Sequence, residues 1–179
     1  SNSSDQINRS HQISMNLKYG CNPHQKHAGI YTHNGSNPFT VLNGKCGYIN
    51  IIDAIHSWQL VKELSDCLDK PCAASFKHTS PAGVGTSKPL SDILKQIYDV
   101  EGIELSPLAT AFIRARNSDP MSSFGDFIAL SHIVDKPTAS LIKRFISDGV
   151  VAPGYTDEAM EILKSKRSGN YLVLKVDRD

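Results

Sequence analysis

The sequence contains no apolar run long enough to span a membrane, and it carries almost no net charge. Of its 179 residues, 40% are hydrophobic and 21% are charged, and the formal net charge is +1. A membrane helix needs about 20 consecutive apolar residues, and nucleic-acid or anionic-membrane binding usually accompanies a strongly basic surface. The composition predicts one globular domain or lobe, with neither nucleic acid nor membrane as a partner. A local anion site stays open.

Cysteine is scarce, and its spacing does not suit a metal. The four cysteines, which include no C-x2-C pair, are Cys21, Cys46, Cys67 and Cys72. This spacing fits no common zinc frame, so we expect reduced thiols in the cytosol. His24, His27 and His33 lie close together, but no nearby cysteine or carboxylate completes a metal site. Surface or hydrogen-bonded histidines are the favoured interpretation, and no metal is predicted.

The first sixteen residues form a polar segment, "SNSSDQINRSHQISMN", without the apolar core of a signal peptide. Such a composition is typical of a disordered linker or tail. The sequence therefore predicts a linker over residues 1–16 and a folded lobe over residues 17–179. With no secretion signal in this stretch, we expect a cytosolic location.

The strongest periodic signal predicts a helix over residues 51–69. The residues that recur at helical spacing are Ile51, Ile55, Trp58, Val61, Leu64 and Leu68. Asn50 is the candidate N-cap. Trp58 could be a ligand platform, but its place on the apolar stripe favours the core.

The rest of the chain alternates strands with helices. We predict strands over 71–76, 124–130 and 170–176, and a short buried strand or turn over 149–154. We predict helices over 90–100, 135–147 and 156–166, while 108–117 fits either a helix or a strand. Ser91 and Thr156 are candidate N-caps. The alternation predicts an α/β fold, a layered and mostly parallel sheet with helices on both faces. In such sheets, ligands bind beyond the carboxyl ends of the strands.

A basic pair lies at the carboxyl end of the strand over 71–76, in "SFKHTSPAG". His78 can act as a general base near neutral pH, and the Lys77 ammonium can stabilise charge that develops on a carbonyl oxygen. Successive strand side chains point to opposite faces, so both reach one substrate only where the backbone is irregular. Pro81 and Gly83 favour such an irregularity. The alternative is a solvated loop with a hydrogen-bonded histidine.

Other short motifs are weak when taken singly. "GVG" at Gly83–Gly85 lacks the third glycine of a dinucleotide-binding loop, because position 88 is Lys88. "LKYGCNPHQ", "MSSFGDF" and "SDGVVAPGY" are each explained most simply by turn chemistry.

Taken together and in order, these motifs are much more specific. "LKYGCNPHQ", "VLNGKCGYIN", "DAIHSWQLVKEL", "SFKHTSPAG", "RARNSDPMSSFGDF", "ISDGVVAPGY" and "SGNYLVLKVD" resemble the transformylase domain of the bifunctional AICAR transformylase/IMP cyclohydrolase family, where AICAR is 5-aminoimidazole-4-carboxamide ribonucleotide. The resemblance runs from about residue 17 to residue 179. It implies formyl transfer from the co-substrate 10-formyltetrahydrofolate to the 5-amino group of AICAR, in purine (IMP) biosynthesis.

The resemblance also implies roles for individual residues. His78 corresponds to the family's proton acceptor, and Lys77 to the lysine that assists the transition state. The implied nucleotide contacts are Lys18, Tyr19, Gly125 and Asp148. Met121 and Phe124 are implied on the folate side. Lys18 stands where family members often carry arginine, so the bidentate fork of arginine is lost there.

The family pattern sets further expectations about fold and assembly. It implies a cytidine-deaminase-like lobe, a homodimer and a formyl transfer that needs no metal. The H-x-E and P-C-x-x-C zinc motifs of the deaminases are absent from the sequence. Nothing in it resembles the family's cyclohydrolase domain or its second transformylase lobe, so we expect this chain alone to be inactive. The alternative is a non-catalytic binding or dimerisation module that retains the fold.

Overall fold

A six-stranded mixed sheet forms the centre of the protein. The computed structural model describes residues 39–77, 80–117 and 126–178. The spatial order of the strands is β1-β6-β5-β4-β2-β3. Their bounds are β1 Phe39–Asn43, β2 Cys72–Lys77, β3 Ser80–Thr86, β4 Asp126–Leu130, β5 Ser147–Ala152 and β6 Leu172–Val176.

In the described part of the chain, five helices connect or flank these strands. Their bounds are α1 Tyr48–Leu68, α2 Asp92–Ile97, α3 Pro107–Asn117, α4 Lys136–Arg144 and α5 Asp157–Lys164, and a short 3₁₀ turn covers Lys166–Gly169. Among the described residues no helix combines the length and the apolar character that a membrane span requires.

The helix caps agree with the sequence patterns, with one exception. The side chains of Ser91, Asp135 and Thr156 each accept a hydrogen bond from the backbone N–H three residues later, at 3.2, 3.0 and 3.1 Å. The predicted cap at Asn50 is wrong. Helix α1 begins three residues earlier, after Gly47, and no side chain caps it.

The sheet separates two hydrophobic cores, and this confirms a layered α/β fold with helices on both faces. Helix α1 covers one face, where Trp58 and Ile51 are buried against sheet residues such as Phe127. The core position predicted for Trp58 is therefore confirmed. The opposite face carries α3, α4 and α5, with Phe112 and Leu141 among its buried side chains. The segment 108–117, which the sequence left ambiguous, lies in helix α3.

The prediction of a mostly parallel sheet is wrong. Only the pairs β4–β5 and β5–β6 are parallel, whereas β1–β6, β2–β3 and β2–β4 are antiparallel. The reason is local: residues 80–83, interpreted from the sequence as an irregular stretch or a solvated loop, begin β3. The two-residue connection from β2 to β3 is so short that it joins only antiparallel neighbours.

The backbone irregularity predicted near Pro81 is present as a bulge. Phe76 pairs with Pro81 and Ser75 pairs with Gly83. Ala82 is therefore the extra residue on β3.

Gly85 allows helix α3 to approach strand β3. A Cβ atom at this position would lie 2.3 Å from the carbonyl oxygen of Ala111 and 2.6 Å from the amide nitrogen of Ala115. Both contacts are with backbone atoms, which have little freedom to move inside a packed core. Close packing thus explains Gly85 of the "GVG" stretch.

We expect Gly85→Ala to lower the free energy of unfolding by about 3 kcal/mol, because it forces the helix off the sheet. Gly154→Ala is the matched control, since the nearest atom to its new Cβ would be a flexible Ile133 side-chain carbon at 3.4 Å. This control should change the free energy of unfolding by about 0.5 kcal/mol or less. Urea denaturation of both variants measures the difference. Equal stability of the two would show that α3 does not need the contact.

Candidate active site

Three strands bring polar residues to one edge of the sheet. Strand β2 ends at Lys77, while β4 begins at Asp126 and β5 begins at Ser147. Because β2 is antiparallel to β4 and β4 is parallel to β5, the carboxyl end of β2 meets the amino ends of the other two. Lys77 and Asp148 therefore lie at the same edge, although it is not the shared carboxyl edge of a parallel sheet.

Most of the residues singled out from the sequence lie outside the described part of the chain. These are Lys18, Tyr19, His78, Met121, Phe124 and Gly125. Their proposed roles stay predictions. His78 follows Lys77 directly in the sequence, and Gly125 directly precedes Asp126.

Lys77, Ser75 and Asp126 share one face of the sheet. Phe76 pairs with Phe127, so the next position on each strand sets Lys77 opposite Asp126, and opposed residues of antiparallel strands point to the same face. The Ser75 hydroxyl donates a hydrogen bond of 2.7 Å to Oδ2 of Asp126. This face also packs against helix α3, which contributes the buried Arg116.

The Asp126 carboxyl is buried close to several charged side chains. Its side chain is only 1% exposed, and burial raises its pKa above the usual range, with a smaller contribution in the same direction from Asp148. The Ser75 hydrogen bond and the positive charges of Arg116 and Lys77 oppose that rise in pKa. Oδ1 of Asp126 has no hydrogen-bond partner among the described residues.

Asp148 occupies an irregular position on β5. Asp126 pairs with Ser147 and Phe127 pairs with Gly149, so Asp148 is the extra residue of a second bulge. A bulge re-aims a side chain out of the strand's alternation. Asp148 lines an open pocket of about 630 Å³ together with Lys45, Asn50, Arg167, Asn170 and Leu172.

The pocket combines two cations with the start of a helix. Lys45 and Arg167 are exposed, and Arg167 Nη1 lies 3.9 Å from Asp148 Oδ1. Asn50 is in the first turn of α1, which has neither a side-chain cap nor an acidic residue there. The amino end of a helix carries partial positive charge and unpaired N–H groups. The pocket is therefore suited to an anion.

The backbone near the pocket is strained at two consecutive residues. Arg167 has φ 52° and Ser168 has φ 54°, both in the left-handed region that L-residues rarely adopt. Such strain clusters at ligand sites, because the surrounding structure must enforce it.

Sequence reasoning identified Lys77 and Asp148 but missed the residues around them. Asp126 was visible only as an acid within "MSSFGDF", where turn chemistry explained it. The pocket joins Lys45 and Asn50 to residues that are about a hundred or more positions away, and no local pattern could connect them.

No metal centre is present among the described residues, in which no cluster of three histidine, cysteine or acidic side chains occurs. His24, His27 and His33, considered above as a metal cluster, lie outside that part of the chain. Cys67 and Cys72 carry free thiols.

The whole chain, residues 1–179, matches the model of the AICARFT/IMPCHase bienzyme family. The bifunctional purine biosynthesis protein PurH of Elusimicrobium minutum is 36% identical over 162 residues, which are 90% of this chain and 26% of that protein. The PurH protein of Rippkaea orientalis is 36% identical over 166 residues, which are 89% of this chain and 28% of that protein. The chain thus spans less than a third of the length of these relatives.

Among solved structures, the dCMP deaminase of the cyanophage S-TIM5 aligns with a TM-score of 0.42 and 17% identity, over 67% of this chain and 91% of that chain. The cytidine-deaminase-like part of the fold assignment stays a prediction.

The raised pKa of Asp126 predicts how stability depends on pH. A carboxyl whose pKa is higher in the folded state contributes stability at acid pH that is lost as the pH rises through that pKa. Asp126→Asn removes this loss and can keep a hydrogen bond to Ser75. We expect the stability of the variant relative to the wild type to increase between about pH 3 and about pH 7 in urea denaturation. The exposed control Asp177→Asn tests whether removing any carboxylate has the same effect. A constant difference for Asp126→Asn would contradict the prediction.

Proposed function

Because this chain belongs to the AICARFT/IMPCHase bienzyme family, we propose that it supplies one lobe of an AICAR transformylase site. The amine of AICAR attacks the formyl carbon of 10-formyltetrahydrofolate, and a new C–N bond forms. The bond between that carbon and N10 of the folate breaks, and tetrahydrofolate leaves with a proton. One observation carries the proposal. Lys77 lies at the same edge of the sheet as Asp148, and Asp148 lines a basic pocket.

Lys77 and His78 divide the chemistry in this proposal. The imidazole of His78 accepts the proton that the amine loses on attack. The Lys77 ammonium lies near the developing oxyanion and stabilises it electrostatically. Met121 and Phe124 are proposed on the folate side, and Gly125 on the nucleotide side.

The pocket suits the ribose phosphate of AICAR. Its volume of about 630 Å³ is within the range of small-ligand sites. Lys45, Arg167 and the amino end of α1 would bind the phosphate, and Asp148 would accept hydrogen bonds from ribose hydroxyls. The ion pair between Arg167 and Asp148, with side chains 56% and 44% exposed, is weak enough to rearrange around a ligand. Lys18 and Tyr19 are proposed as further nucleotide contacts.

Assembly and location are also proposed from the family. A homodimer is expected because the family builds its site at a subunit interface, and a cytosolic location suits purine synthesis. The cyclohydrolase activity in the family's name is not proposed for this chain.

The first test of the function is turnover. In the product of the complete reading frame, we expect His78→Ala to lower transformylase kcat about 10²- to 10⁴-fold through loss of the base, and Lys77→Gln about 10²- to 10³-fold through loss of oxyanion stabilisation. Lys88→Gln, an exposed charge outside the site, is the matched control. No turnover in the wild type, with AICAR still bound, would favour the binding-module alternative.

The second test is titration calorimetry of AICAR against its riboside, which lacks the phosphate. Losing two charge-assisted contacts in Lys45→Gln/Arg167→Gln should weaken AICAR binding about 100-fold and leave riboside binding almost unchanged. Lys95→Gln/Lys164→Gln removes the same charge away from the pocket and should have little effect. Equal losses for AICAR and the riboside would show that the pocket does not bind the phosphate.

A further inference from the structure

Asp126 is a buried carboxylate whose local contacts do not account for its burial. Its side chain is 1% exposed, and a buried charge is costly unless it is paired and hydrogen-bonded. Ser75 supplies one hydrogen bond, to Oδ2, while Oδ1 has no hydrogen-bond partner among the described residues. An under-satisfied buried group at the edge of a functional site indicates that the site, and not the fold, requires it.

The surroundings of Asp126 identify the group on which it acts. Lys77 lies opposite it on the neighbouring strand and points to the same face. The positive charge of Arg116, on helix α3, and the negative charge of Asp148, on β5, also act on the Asp126 carboxyl. Of the two cations near Asp126, Arg116 is buried, whereas Lys77 lies at the end of its strand and is half-buried, where a substrate can reach it.

We propose that Asp126 is a positioning residue that directs the Lys77 ammonium along the sheet edge toward the substrate. Ser75 fixes one oxygen of the carboxylate, and the other oxygen remains to face the ammonium. A buried negative charge is effective here because the low dielectric of the interior strengthens its interaction with a nearby cation. The catalytic role of Lys77 belongs to the proposed function, so the inference rests on it.

The first test needs no turnover. An amine-reactive acylating reagent modifies the lysine side chains that it can reach, and mass spectrometry follows each site separately. In Asp126→Asn we expect the modification rate of Lys77 to rise severalfold, because the ammonium is no longer attracted toward a buried negative charge and meets the reagent more often. Exposed Lys88, in the same sample, should not change. Ser75→Ala keeps the negative charge of Asp126 and should raise the modification rate of Lys77 about twofold or less. It keeps the proposal testable if Asp126→Asn does not fold.

The second test is a kinetic cycle in the product of the complete reading frame. We expect Asp126→Asn to lower kcat about 10- to 100-fold while KM for AICAR changes about threefold or less, since the effect is on an interaction made in the transition state. With Lys77→Gln already present, Asp126→Asn should add little, because both changes remove the same contribution.

The outcomes separate this inference from the function on which it rests. An unchanged Lys77 modification rate in Asp126→Asn would overturn the inference, and Asp126 would then serve Arg116 or the fold alone. Additive effects of the two substitutions on kcat would overturn it as well. A wild-type protein that neither turns over nor binds AICAR would instead refute the proposed function, while the modification rates would still report on the contact between Asp126 and Lys77.

Discussion

Strand β2 is antiparallel to both of its neighbours, and the arrangement of the candidate site depends on this. Its carboxyl end meets the amino ends of β4 and β5, so Lys77 and the two acidic residues lie at one edge although they come from distant parts of the chain. The edge contains two bulges, with Ala82 and Asp148 as the extra residues. Each bulge turns a strand end away from regular alternation, so side chains from different strands can approach one region.

The two acidic residues of this edge do different work because their environments differ. Asp126 is buried beneath the edge, next to Ser75 and among opposing charges. Asp148 is half-exposed and faces an open pocket beside Arg167. In the proposed reaction the exposed carboxylate contacts the ligand, and the buried one acts through Lys77. The difference in burial thus gives two aspartates different proposed roles, binding for the exposed one and positioning for the buried one.

The sequence predicts the elements of this fold better than their directions. Helix α1 and the caps at Ser91 and Thr156 follow from residue type and spacing, which are local properties. Strand β3 was not predicted, because it contains Pro81 and two glycines, which are uncommon in strands. The antiparallel hairpin that β3 forms with β2 was missed for the same reason. Lys77 and Asp148 were found through motif resemblance. Asp126 and Lys45 were not found, because their importance depends on burial and on contacts with residues distant in the sequence.

The composition of β3 has a consequence for how the sheet ends. Among the described strands, β3 lies at the edge of the sheet, and an edge strand exposes unpaired backbone groups that can recruit strands from other molecules. Pro81 has no N–H to offer a further strand, and the extra residue Ala82 breaks the regular spacing of the ladder. Residues that shape the candidate site on one side therefore make the outer side of β3 a poor template for a seventh strand. The same short segment protects the protein against aggregation at that edge.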